Sequence, residues 1–117
     1  MKKPRFGFAV AYVKDIAEAR RFYVEVLGLR VERESPQFVQ FESFAIASDE
    51  PMSGSNLELY WLVDDAEAAF RELSHKAELT LKLKQMPFGR VFGVRDPAGQ
   101  PRYLLELAQD RPSRRVE

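Results

Sequence analysis

The sequence contains no cysteine, so it can form neither a disulfide nor a thiolate metal site. It has no excess charge of either sign, since 18 basic residues balance 18 acidic ones. A phosphate backbone selects for a basic face, so a nucleic-acid partner is not expected. No apolar run is long enough to span a bilayer. The opening Met1-Lys2-Lys3-Pro4 is charged, but the apolar stretch from Gly7 to Val13 is too short for a signal core and runs into Lys14-Asp15. The expectation is a soluble cytoplasmic protein with no nucleic-acid or membrane partner. What remains is a chain of 117 residues, 45% hydrophobic and 31% charged, the balance of a folded domain. At this length the core stays modest, and burial against a second subunit would add to it.

The periodicities give an ordered set of elements. Arg5 to Val13 reads as a strand with Phe6, Phe8, Val10 and Tyr12 on one face and Gly7, Ala9, Ala11 and Val13 on the other. Both faces are apolar, so both should be covered. Asp15 and Glu18 have the spacing of a capping box, and Ala19, Phe22, Tyr23, Val26 and Leu27 form the stripe of a helix that Gly28 stops. Leu29–Glu34, Phe38–Glu42 and Phe44–Ala47 read as a meander of strands, with Ser35-Pro36 turning the first into the second. Asp49 to Asn56, with Pro51, Ser53, Gly54 and Ser55, is the one clear linker.

After the linker the order starts again. Leu57–Val63 is a strand, Asp64 and Glu67 read as a second capping box, and Ala66–Lys76 is a helix with Phe70, Leu73 and Ala77 inward. Glu78–Lys84, Gly89–Val94 and Tyr103–Ala108 are strands, the last two joined by the turn Asp96-Pro97-Ala98-Gly99. Gln109–Glu117 is a polar tail. Asp15 and Asp65 stand fifty positions apart, and Ala17-Glu18-Ala19 matches Ala66-Glu67-Ala68 with a drift of one. A repeat of strand, helix and three strands is more informative than any single residue. It places modules at 5–50 and 56–108 within one domain at 5–108.

Val13-Lys14-Asp15 followed by Ala19, Phe22-Tyr23 and Leu27-Gly28 resembles the V-x-D…A…F-Y…L-G signature of the glyoxalase, bleomycin-resistance and extradiol-dioxygenase group, the vicinal-oxygen-chelate (VOC) superfamily. Asp96-Pro97-Ala98-Gly99 ahead of Leu105-Glu106-Leu107 is similar to that group's D-P-x-G…E-L ending. The resemblance implies an α+β fold of paired βαβββ modules whose mixed sheet curls around a cleft, usually completed by a second subunit, so a homodimer is expected. Fold does not set chemistry on such a scaffold, and the site has to be argued from its own residues.

Members with metal chemistry hold a divalent ion with His and Glu side chains, leaving positions open for two substrate oxygens. The resemblance puts the first ligand position at Phe8, its counterpart in the second half at Glu58, the glutamate closing the first module at Ala45 or Ala47, and the last-strand ligand at Glu106, with Tyr103 as the alternative alignment. Alternation favours Glu106, because Tyr103, Leu105 and Leu107 form an apolar face suited to packing under a helix. Phenyl and methyl groups cannot ligate, and two carboxylates are a weak site for a transition metal. No cofactor is therefore expected; any divalent metal would rest on Glu58 and Glu106. The only histidine, His75, falls in the last turn of the second helix, where the dipole favours a solvated imidazole.

The expected ligand-binding set is Phe8, Val10 and Tyr12 from the first module, Glu58 and Tyr60 from the second, and Arg102 (or Tyr103) with Glu106 on the last strand. Trp61 should point the other way, into the core, and Arg90 reads as a solvated loop charge. A mostly aromatic set with two acids suits a planar or cationic small organic molecule. The expectation is thus a metal-free binding protein of the antibiotic-sequestration type. Its rivals are a metal-dependent lyase, isomerase or dioxygenase using Glu58 and Glu106, and a structural or regulatory partner domain in which Phe8 and Tyr12 only fill space.

Overall fold

A computed structural model describes residues 2–52 and 56–108. The tail expected at Gln109–Glu117 and the centre of the linker, 53–55, lie outside them. The elements run β1 (Arg5–Tyr12), α1 (Ile16–Arg21), a π-helical turn (Phe22–Val26), β2 (Arg33–Ser35), β3 (Phe38–Gln40), β4 (Phe44–Ala47), β5 (Leu57–Leu62), α2 (Ala66–Leu73), β6 (Leu79–Met86), β7 (Gly89–Arg95) and β8 (Pro101–Leu107). This is the α+β order read from the repeat, βαβββ twice. The chain divides into two compact units, Phe8–Leu59 and Met1–Gly7 with Tyr60–Glu117.

In the unit Phe8–Leu59 the strands lie in the order β2-β3-β4-β1. β1 runs parallel to β4, and the other pairs are antiparallel. Helix α1 starts after Asp15, whose carboxylate accepts from the Glu18 amide at 3.0 Å. The expected single helix to Leu27 changes pitch on the way: Leu27 N–H donates to Phe22 C=O at 3.2 Å, five residues back. Gly28 then takes φ 77°, and Leu29 N–H closes the end on Tyr23 C=O at 2.9 Å. The strand expected at 29–34 shrinks to Arg33–Ser35, and Leu29 and Val31 pack against the cluster of Val39, Phe41 and Ile46. The core is Val39, Phe41 and Ile46, covered by Ala19 and Tyr23, with the Tyr23 ring 5.7 Å from Phe41 and 5.0 Å from Phe44.

In the second unit the order is β5-β8-β7-β6, with β5 parallel to β8 and the rest antiparallel. Helix α2 is capped by Asp65, which accepts from the Glu67 and Ala68 amides at 3.1 and 3.2 Å. The expected cap, Asp64, lies one residue too early. Its carboxylate instead pairs with Arg5 and Lys2, each at 3.1 Å, which hold it below the usual carboxylate range. Both helices thus begin directly after an aspartate, and those two aspartates keep the spacing of fifty. Helix α2 stops at Leu73, three residues short of the expected Lys76, and His75 lies exposed in the turn that follows. Val63, Ala66, Ala69, Phe92 and Leu104 form the core, with Trp61, Phe70 and Leu73 against it, so Trp61 is a core residue as expected.

Candidate functional site

The sheet face of Phe8–Leu59 that points away from α1 gathers the first group of expected residues. Strand pairing sets them in rows. Arg33, Gln40, Ala45 and Val10 are cross-strand neighbours in turn, and so are Ser35, Phe38, Ala47 and Tyr12. Neighbours in a ladder share a face. β4 contributes only methyl groups to it, and the rings of Phe8 and Phe38 come edge to face at 6.2 Å from the strands on either side of β4. Phe8 is buried (4% exposed), as are Val10, Ala45 and Ala47. The Tyr12 hydroxyl donates to Glu58 Oε1 at 2.8 Å, and Glu58 is 2% exposed. Phe8, Val10, Tyr12 and Glu58 are therefore brought onto or against one surface. Phe38, Gln40 and Arg33 belong to it too, and the sequence reading did not single them out. Their strands are three residues long, too short for alternation to assign a face.

In the second unit the face away from α2 carries Tyr60 and Tyr103, register partners on β5 and β8 whose rings stack at 5.2 Å and 25°. Gly93 lies across from Tyr103 on β7 and makes room for it: a Cβ there would sit 3.2 Å from the Tyr103 ring and 2.5 Å from Thr80 Oγ1.

Glu106 and Arg102 fall on the opposite face, which corrects the expected orientation of β8. Glu106 lies under the start of α2. Its Oε1 accepts from the Ala66 amide at 2.9 Å and from Arg90 Nη2 at 2.8 Å, and it is 3% exposed. Arg102 turns to Asp96 at 3.2 Å. Leu104, between them on the same face, packs against Phe92 and Ala69. The expected alternation failed because every residue from Tyr103 to Leu107 is buried, so apolarity does not tell one face from the other. Arg90 is no loop charge. It lies in β7 beside Glu106, with Asp65 and Glu67 each 3.8 Å away. The hydrogen bond to Glu106 raises the Arg90 guanidinium above its ordinary value, against the burial that lowers it.

These placements decide whether a catalytic metal fits. Of the four positions the resemblance assigns, the first is a phenyl ring and the one closing the first module is a methyl, whether Ala45 or Ala47. The last is Tyr103 on the face that points away from the helix, since Glu106 points the other way. Glu58 is the one carboxylate left among them, and no group of three or more His, Cys, Asp or Glu side chains that could hold a metal exists among the described residues. The donor set does not fit a divalent ion.

Comparison with known proteins agrees with the topology. Residues 6–101 match the sequence model of the glyoxalase-like domain family. No curated protein matches the sequence. Among solved structures the chain is similar to NAD-dependent benzaldehyde dehydrogenase from Legionella pneumophila, with TM-score 0.73 and 24% identity over 86% of this chain and 97% of that one. It is also similar to a glyoxalase/bleomycin resistance protein/dioxygenase superfamily member from Vibrio splendidus 12B01, with TM-score 0.68 and 23% identity over 89% and 99%. Methylmalonyl-CoA epimerase from Mycobacterium tuberculosis gives TM-score 0.68 and 17% identity over 89% and 88%. At these identities the likeness is one of fold. Among the described residues no helix is long and apolar enough to cross a membrane.

Proposed function

The chain belongs to the glyoxalase-like domain family, and from that premise we propose that it is a small-molecule-binding protein without a catalytic metal, taking an aromatic or cationic organic ligand. One observation carries the reading. The sheet face to which the resemblance assigns the first metal ligand presents Phe8, Phe38 and Tyr12 here, with a single carboxylate, Glu58, held by the Tyr12 hydroxyl. Aromatic rings with one oriented acid beside them suit stacking and cation–π contact rather than Lewis-acid chemistry. The rival reading, a metal-dependent lyase, isomerase or dioxygenase, needs Glu106 as a second ligand. Its bonds to Ala66 and Arg90 speak against that use.

The test is thermal unfolding of the purified protein against a panel of aromatic amines and other aromatic cations. A ligand at a hundred times its Kd should stabilise by about 2.7 kcal/mol. Glu58→Gln should keep the Tyr12 contact yet weaken the cationic members of the panel about tenfold, the size of a charge-assisted hydrogen bond lost. Elemental analysis supplies the opposing outcome. Stoichiometric iron, nickel, zinc or manganese that disappears in Glu58→Ala would overturn the proposal.

A further inference from the structure

We infer that Arg33 is an oxyanion-binding residue on the same sheet face, so that the ligand carries a carboxylate or phosphate group on its aromatic body. This rests on the binding reading above and narrows it. Four arginines among the described residues are partly buried: Arg20, Arg33, Arg90 and Arg102. Three of them are matched to carboxylates, Arg20 to Glu34 at 2.8 Å, Arg90 to Glu106 at 2.8 Å and Arg102 to Asp96 at 3.2 Å. Arg33 has no carboxylate within ion-pairing distance among the described residues. Its Nε donates to Gln40 Oε1 at 2.9 Å, and Gln40 Nε2 donates in turn to the Glu42 carbonyl at 3.4 Å.

That chain of bonds does specific work. Gln40 is itself buried, and its amide is held at both ends. It takes up the Nε hydrogen of Arg33 and leaves the two terminal amino groups unbonded to any described residue. Those two groups form the fork that reads a carboxylate or phosphate with paired hydrogen bonds. A guanidinium fixed at Nε has already given up much of its rotamer freedom, so less is lost when an anion docks. Arg33 occupies the β2 end of the row that continues through Gln40 and Ala45 to Val10, and Phe38 lies in the adjoining row two positions along β3. An oxyanion on Arg33 therefore puts an attached ring within reach of Phe38. Ser35, the cross-strand neighbour of Phe38, adds a hydroxyl donor on the same edge. The acid of β2, Glu34, faces the other way and is taken by Arg20, so no carboxylate on β2, β3 or β4 competes for the fork.

Three probes test this by NMR titration: 2-naphthoate, the neutral 2-naphthalenemethanol, and inorganic phosphate alone. The Arg33 Nε resonance is the local readout. The expected result is that 2-naphthoate binds about tenfold more tightly than the alcohol, with the Nε signal moving. Arg33→Gln should erase that advantage, bringing the Kd of 2-naphthoate to that of the alcohol measured on the same variant, while Arg33→Lys, a point charge without the fork, should keep only part of it. Equal binding of the two naphthalenes in the unaltered protein, or an advantage that survives Arg33→Gln, would overturn the anion assignment and leave the small-molecule reading standing. Phosphate binding as tightly as 2-naphthoate would overturn the claim that ring and anion are read together. Failure of both naphthalenes while aromatic cations still raise the unfolding temperature would overturn the anion assignment alone, and failure of naphthalenes and cations together would take down both readings.

Discussion

Glu106 carries its carboxylate almost wholly out of water, and two of its bonds determine what a substitution there costs. It satisfies the Ala66 amide, which the helix leaves without an internal partner, and it faces the Arg90 guanidinium. Glu106→Ala leaves that amide unbonded and a partly buried cation without its closest counter-charge. The expected loss is about 3 kcal/mol, the lower end for a broken buried pair because Arg90 keeps some solvent. Glu106→Gln keeps an acceptor for Ala66 and should cost less. Urea unfolding of the two variants side by side checks the order. The role of this residue was the least legible thing in the sequence: a glutamate between leucines after a D-P-x-G turn reads as a ligand, and only the register of β8 against β7 shows which way it points. Phe8 and the two alanines of β4 were legible, because a side chain that cannot ligate is recognisable without coordinates. Arg33 was not, since nothing local distinguishes a half-buried arginine held by glutamine from a solvated one.

At the scale of the element, the caps and the closing glycine set the ends of the helices. Asp65→Ala should destabilise by about 1 kcal/mol through loss of its bonds to two first-turn amides. Asp64→Ala, one residue earlier, removes only exposed ion pairs and should change stability within about 0.5 kcal/mol. Measuring both by chemical denaturation identifies the cap. Gly28→Ala forces a Cβ into the left-handed region and should cost about 1 kcal/mol. Helix α1 is also tied to β2 by Arg20, whose Nε and Nη2 donate to the two oxygens of Glu34 at 2.8 and 3.1 Å. These hydrogen bonds lower the Glu34 carboxyl below its ordinary value. A carboxylate lowered by folding adds stability that is present above its unfolded value and is lost as pH falls through its folded value. Stability measured by denaturation should therefore drop on acidification through and below the ordinary carboxylate range, and part of that drop should vanish in Arg20→Ala. Helix positions were legible because capping residues and apolar stripes are local signals. The π-helical turn at Phe22–Val26 was not, because the same apolar stripe suits either pitch.

For the whole molecule, the doubling of βαβββ was readable from two motifs and a spacing, and the structure repeats the strand order and pairing sense in both units. How the chain is shared between the units was not readable, since it depends on contacts far apart in sequence. Residues at the start of the chain belong with the second half. The Phe6 ring meets Trp61 edge to face at 5.1 Å, and Arg5 reaches Asp64. Trp61 is the only tryptophan, so its emission reports on that contact. Phe6→Ala should shift the emission to longer wavelength and lower stability by about 1 kcal/mol, the worth of an aromatic pair. An unchanged spectrum would mean the ring does not shield the indole.

That sharing has a consequence for the order of events during synthesis. Phe6 and Arg5 leave the ribosome ahead of the residues they pack against, Trp61 and Asp64, which are made more than fifty residues later. At roughly 5–20 residues per second the wait is several seconds. Phe8–Leu59 can close on itself during that interval, with its own helix and all four of its strands already made. Residues made before the whole of Phe8–Leu59 thus find their place only after it.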